Sequence, residues 1–474
     1  MKRSTGSIIV FALLALVACG GGGSGGGSTS PPALGGIQGS GIAFGAVTGF
    51  GSIFVNGVEF STSNATIRID DNPGVESDLR VGQVVTVIGQ VNSGGTTGTA
   101  TEVRFNDDVE GPVAALNAAA GTFTVLGQSV RVTGSTIFDN RLSPASIAGL
   151  ANGLVVEVSG FRDANGVIAA SRIEPKPPGG TLEVVGTLTA LDNNARTFRI
   201  NGLVVDFAQA QISNGPLAEN RLVEAKGTTV AANGSLIATR VEMLTLAASA
   251  NNAFGEIEGL VTRFTSSTDF DVAGRRVSTD GTTQIILNGL TLGLNVKVEV
   301  EGTFNAAGVL VARKVELKPD NSARVTAQIQ SINAATNQLN VFGVTVTVNA
   351  ATAFDDKSSA NLRTLRLSDL RTGDYLEVRG FEGAQAGQLT AVLIEREDLR
   401  NRIELQGTAR SVADPALQVL GVSVTTNGNT AFRDTADNTI SRAQFFAQAP
   451  NRLVKVRGSG SGPALTAEEA ELEN

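Results

Sequence analysis

Apolar residues fall at every second position along most of the chain, in short runs bounded by Gly, Asn and Asp. That is the period of a strand with one face toward a core, and it leaves little room for helices. One such run recurs six times as an apolar residue, any residue, Val or Ile, any residue, then Gly: IFVNG at Gly57, FTVLG at Gly127, FRING at Gly202, FDVAG at Gly274, LNVFG at Gly343 and LQVLG at Gly421. A second run follows each of them: VTVIG at Gly89, VEVSG at Gly160, VEAKG at Gly227, VEVEG at Gly302, LEVRG at Gly380 and VKVRG at Gly458. Successive glycines of the first series lie 70, 75, 72, 69 and 78 residues apart, so the chain repeats one unit six times.

Each unit reads as about five strands. Segments such as VVGTLTALD and IEGLVTRFT precede the first mark, and VIAASRIE and LIATRVE follow the second. The Asn56-Gly57 and Asn201-Gly202 pairs suit two-residue hairpin turns, because both residue types tolerate positive φ. Short helices are expected only in spacers such as 143–151 and 359–370. Five strands in about 70 residues, each with one apolar face, most simply close into a small barrel of the oligonucleotide/oligosaccharide-binding (OB) type. The predicted class is all-β: six tandem OB-like barrels at residues 40–108, 109–180, 181–250, 251–320, 321–400 and 401–474. With no cysteine free to staple them, each barrel is expected to stand on its own apolar core.

The extreme N-terminus has a different pattern. Lys2 and Arg3 precede an apolar run at residues 8–18 that is too short to span a bilayer, as in a secretory signal occupying 1–18. Leu16-Val17-Ala18-Cys19 resembles the bacterial lipobox, which implies cleavage before Cys19 and acylation of its thiol. Each lipid methylene buried contributes about 0.8 kcal/mol, so several chains on one residue anchor a protein stably. Gly20 stands where, in lipoproteins of this kind, an aspartate favours inner-membrane retention. The resemblance therefore implies the outer membrane of a Gram-negative bacterium, at its periplasmic face or the cell surface. Residues 19–39 then form a Gly/Ser/Pro tether, with GGGGSGGGSTSPP spanning about 20 Å as a random coil.

The formal charge of −8 becomes −10 once Lys2 and Arg3 are removed. No nucleic-acid partner is expected, since such partners require a basic stripe. The absence of histidine excludes histidine-based triads and histidine metal sites, and no serine–lysine or paired-carboxylate spacing stands out. No catalytic residue, enzyme activity or cofactor is expected beyond the covalent lipid.

Phe123, Phe198 and Phe270 share a hairpin position with Ile53, Leu339 and Leu417, so they read as core rather than stacking platforms; the chain has no tryptophan, and Tyr375 is its only tyrosine. In Arg172-Ile173-Glu174, Arg240-Val241-Glu242 and Lys314-Val315-Glu316, opposite charges flank a buried residue. They read as solvated cross-strand pairs on the wet face of a barrel. The alternative is an adhesive stripe, which requires neighbouring barrels to keep one orientation.

An acidic turn recurs after the third strand, at Asp70 and Asp71, Asp139, Asp355 and Asp356, and Asp434 and Asp437. These carboxylates either cap their own backbone or ligate calcium. One turn offers one or two acids, and the third and fourth units place Asn214 and Asn288 there. A turn by itself thus supports no affinity tighter than about 0.1 to 1 mM.

Leu150-Ala151-Asn152-Gly153 through Gly160, and Leu370-Arg371-Thr372-Gly373 through Gly380, follow the form L-x-x-G-x-x-V-x-V-x-G. With the lipobox and tether, this resembles bacterial lipoproteins built from tandem copies of the domain of unknown function 5666, a family that implies no activity. The third and fourth units shorten the spacer before the motif. The expected role is a lipid-anchored envelope structural or adaptor protein, held to the membrane by its lipid and partnered by an envelope protein or polymer. The alternative is a calcium- or glycan-binding surface lipoprotein.

Overall fold

The computed structural model describes residues 39–92, 95–244, 252–287, 290–318, 323–435 and 438–473. Cys19, the signal segment, Asn288 and Asp437 lie outside these residues.

The third unit shows the plan. Leu182–Asp192 pairs with Thr197–Ile200 and with Leu222–Val230; Thr197–Ile200 turns back onto Leu203–Asp206; and Leu236–Met243 lies parallel to Leu203–Asp206 and antiparallel to Leu222–Val230. The order first–second–third–fifth–fourth therefore closes on the first strand, the circuit of an OB-type barrel. The other five units repeat it, so the predicted barrels are present. In five units a short extra segment, such as Gln211–Ser213, also lies parallel to the last strand.

Local chemistry explains the recurring glycines. The first series sits in the hairpin turn, where Asn56 and Gly57 both take positive φ (52° and 82°). The second series marks a β-bulge: pairing between fourth and last strands slips at Gly89, Gly160, Gly227, Gly302, Gly380 and Gly458. There the last strand's carbonyl approaches too closely for a side chain. In L-x-x-G, Leu150 and Leu370 are buried, while Gly153 and Gly373 donate their N–H groups to the first strand at Val113 and Ile329.

The expected spacer helices are absent. Residues 143–151 and 359–370 contain only single 3-10 turns, Ile147–Gly149 and Leu367–Asp369, since each spacer has a leucine to bury but no helical apolar stripe. The α-helix among the described residues is Arg442–Gln448 in the sixth unit, N-capped by Ser441 and burying Phe445.

The fourth unit has a buried cluster of its own, but the other units do not keep separate cores. The second and third units share one apolar cluster, as do the fifth and sixth, and the first unit's cluster takes in Ile137, Phe254, Ala353 and Leu393 from three other units. A barrel of about 70 residues buries only about 60% of its unfolded surface, so pairing supplies the rest. First strands do the joining. Val109–Asn117 runs antiparallel to Leu182–Asp192, Ala323–Asn333 antiparallel to Ile403–Thr408, and Gly39–Gly49 parallel to Phe254–Ser266. Units two and three, five and six, and one and four are thus partners in a single compact unit spanning 36–474.

Candidate functional site

Sheet alternation places a charged set on the outer face of each barrel, and the structure turns most of that face inward. Arg172, Glu174, Glu242 and Lys314 are buried, while Arg240 and Glu316 of the named pairs remain partly exposed. The expectation of solvated pairs is overturned because the outer faces of neighbouring barrels meet each other. Arg172 pairs with Glu174 and Asp139 and donates to the Val81 carbonyl of the first unit at 3.1 Å. Arg379 of the fifth unit pairs with Glu377 and Glu395 and donates to Thr136 O of the second unit at 2.9 Å. Lys314 lies 3.0 Å from Glu301 and 2.9 Å from Glu316. Buried ions need such partners, because an unpaired one costs several kcal/mol.

The two antiparallel junctions share a register but differ in charge. In one, Thr326 faces Glu404. Glu404 receives Arg324 at 3.1 Å and Arg457 at 2.7 Å, and these guanidiniums outweigh burial to hold its carboxyl below the usual range. In the other, Glu110 faces Glu183. Glu183 receives Lys226 at 2.9 Å, and Glu157 receives Lys176. Around them stand Asp107 from the connection between the first two units and Asp70 from the first unit's acidic turn. One oxygen each from Asp70, Asp107 and Glu183 lies within 4.8 Å of the others, and the same holds for Asp107, Glu110 and Glu157. Asp107 is 1% exposed, and neither of its oxygens has a hydrogen-bond partner. Burial, then the charges of Glu183, Asp70, Glu157 and Glu110, push its carboxyl far above the usual range.

The acidic turns divide accordingly. Asp139 accepts the Arg141 N–H at 3.0 Å, and Asp434 the Asn438 N–H at 2.9 Å. Asp356 accepts the N–H groups of Ser358 and Leu362 at 3.1 and 2.6 Å. These three cap their own turns. Asp355 is pushed up by burial, with Arg172 opposing. Asp71 faces Lys226 and Arg240 of the third unit, each at 3.5 Å, and its oxygen lies within 4.8 Å of Glu224 and Glu242. Asp437 is outside the described residues. Of the sequence candidates, then, Asp70 and Asp71 enter clusters built across units.

Sequence reasoning missed Asp107, Glu110, Glu157 and Glu183. A signal was present for Glu157 alone: the acid in the second place of VEVSG, VEAKG, VEVEG and LEVRG repeats at one barrel position in four units.

A separate cavity of about 170 Å³ lies where the first, second, fourth and fifth units meet. Its lysines are already paired: Lys297 lies 2.6 Å from Glu258 and caps the Phe161 ring, and Lys318 lies 3.2 Å from Glu299. The phenylalanines proposed as core, Phe123, Phe198 and Phe270, are buried, and the Tyr375 hydroxyl donates to Arg402 O at 2.7 Å.

A tandem array of OB-ordered β-barrels, joined by first-strand pairing, is the class that these features define. The chain belongs to the family described as Domain of unknown function (DUF5666), which matches it six times, at 45–104, 110–174, 185–242, 258–316, 326–395 and 406–471. No curated protein matches the chain.

Proposed function

We propose that this protein is a lipid-anchored structural or adaptor component of the bacterial outer membrane, attached through Cys19 and performing no catalysis. Its partner is another envelope protein or polymer, and the chain's net charge of −8 argues against nucleic acid.

One observation carries the reading: elements through which OB barrels commonly hold ligands are used here to hold other barrels. OB barrels bind through their second and third strands and the loops beside them. In this chain the last hairpin of the second unit meets the Asn201 turn of the third, where a β-carbon on Gly166 would lie 2.9 Å from the Asn201 amide. The last hairpin of the fifth unit meets the corresponding turn of the sixth, where a β-carbon on Gly421 would lie 2.8 Å from Gly387. Surfaces committed to one another favour a rigid body that spaces and presents.

Fatty-acid labelling and membrane fractionation of Cys19→Ser test the anchor. The variant should lose label and leave the outer-membrane fraction, and retention of both would overturn it. Crosslinking in intact envelopes should recover a recurrent envelope partner with the wild type; recovery of none, or of nucleic acid, would count against the role.

A further inference from the structure

We propose that Asp70, Asp107, Glu110, Glu157 and Glu183 bind a hard divalent cation, calcium by preference, that ties the first three units together. This goes beyond the envelope role and does not depend on it.

Convergence is the first support. The acids come from different parts of the chain: Asp70 from the first unit, Asp107 from the connection, Glu110 and Glu157 from the second unit and Glu183 from the third. Asp107 belongs to both triads, Asp70–Asp107–Glu183 and Asp107–Glu110–Glu157, and within each one oxygen per residue lies within 4.8 Å of the others, so Asp107 is the ligand that the two share.

The second support is independent of the cluster's acidity. Both Asp107 oxygens are buried without a partner, and so is Glu183 Oε1. Buried polar atoms are normally satisfied, and each orphan requires an explanation such as an ion. The nearby lysines answer other members of the cluster, Lys176 pairing with Glu157 and Lys226 with Glu183 and Glu224, and leave the Asp107 oxygens unpartnered. Among the described residues no Lys or Arg is paired with Asp107.

The third support is the sister junction. At the same register, Arg324 and Arg457 converge on Glu404. The junction of the second and third units places Glu110 opposite Glu183 instead, and adds Asp107 and Asp70. One junction carries its positive charge in the chain; the other is short of it. A cluster of this kind in apolar surroundings must take up either protons or a cation.

Donor type selects the cation. All donors are carboxylate oxygens, with no nitrogen or sulfur, which suits calcium or magnesium over transition metals. Calcium takes six to eight oxygens at about 2.3 to 2.6 Å in flexible geometry, which the three carboxylates of one triad supply in part, with water completing the shell. Magnesium requires a stricter octahedron and retains its waters.

Isothermal titration of calcium chloride into the full chain, stripped with chelator at neutral pH, tests the site. The expected result is a site tighter than about 0.1 mM, with magnesium at least roughly tenfold weaker. Calcium should also raise the thermal midpoint. Asp107→Asn removes the shared ligand and a buried charge together, so its calcium-free midpoint should not fall, while its calcium affinity drops by about tenfold or more. Glu110→Gln, at a less buried position, should weaken binding in the same direction, and Asp139→Asn, which alters a self-capped turn, should leave binding unchanged. Three results would overturn the proposal: no calcium heat or midpoint shift in the wild type, undiminished binding in Asp107→Asn, or a midpoint that follows pH alone. The last would mean that the carboxyls share protons.

Discussion

A β-carbon on Gly302 would stand 2.1 Å from the carbonyl oxygen of Val311 on the neighbouring strand. The same approach occurs at Gly380 with Thr390 O (1.9 Å) and at Gly458 with Thr466 O (2.1 Å). Gly302→Ala should therefore destabilise the protein by roughly 1 to 3 kcal/mol, as overpacking does. Gly281→Ala, exposed and with open space around it, should stay within about 0.5 kcal/mol of wild type. Urea unfolding of the two variants makes the comparison.

Removing one ion from a packed charged face should be costly. Arg379→Met takes the shared guanidinium from Glu395, fully buried, and Glu377, leaving them Lys357 and the more distant Arg324, and breaks the bond to Thr136 O. The expected loss is about 3 to 5 kcal/mol. Arg442→Met, whose partner Asp414 is exposed, should change stability by about 1 kcal/mol or less. Chemical denaturation of both variants checks the ranking.

Shared cores set the size of the cooperative unit. Val158 is fully buried in a cluster common to the second and third units, whereas Val300 belongs to a cluster of the fourth. Val158→Asp should raise hydrogen exchange across residues 109–244, and Val300→Asp chiefly across the fourth unit, since a buried unpaired carboxylate costs several kcal/mol. A fragment of residues 109–244 should unfold in one sharp transition, and one of 181–244 should melt lower and more broadly. Equal melting of the two fragments would mean that the shared cluster contributes little.

Two glutamates on packed faces should respond to pH in opposite directions. Burial acts to raise Glu377, but Arg379 and Arg324 overcome it and hold the carboxyl at about 2, against an ordinary 4.5. Its contribution is present above about 4.5 and lost as pH falls toward 2. Glu256 is pushed well above 4.5 by burial and by Glu299 and Glu301, with Lys314 and Lys318 opposing. Its contribution is present below about 4.5 and lost as pH rises through the folded-state value. Glu377→Gln should thus lower the thermal midpoint at pH 7 and matter little near pH 2, while Glu256→Gln should raise it at pH 8 and matter little near pH 4.

Strands, hairpins and barrel closure were legible because alternation and turn residues act locally. Phe198 and Val158 needed only their neighbours in sequence to be read as core. Residue alternation also separated the two faces of each strand correctly, but it says nothing of what the outer face meets. Lys314 and Arg172 therefore read as wet, although barrel packing buries them. Asp107 was illegible for the same reason: its neighbours Asp70 and Glu183 lie 37 and 76 residues away in sequence. The spacers misled differently, with Leu150 and Leu370 serving as single plugs and not as parts of a helical stripe.

The parallel pairing of Gly41 with Phe254 puts a clock into the molecule. The first barrel's joining strand is complete early in synthesis, yet its partner strand emerges more than 200 residues later, roughly 10 to 40 s at ordinary elongation rates. During that interval the second and third barrels can pair with each other, because their joining strands are separated by a single unit. If the barrels fold as the chain emerges, the order is an inner pair first, then the return of the fourth barrel to the waiting edge of the first. An insertion that delays the fourth unit would lengthen the exposure of that edge, and misassembly, not loss of stability, would be its first symptom.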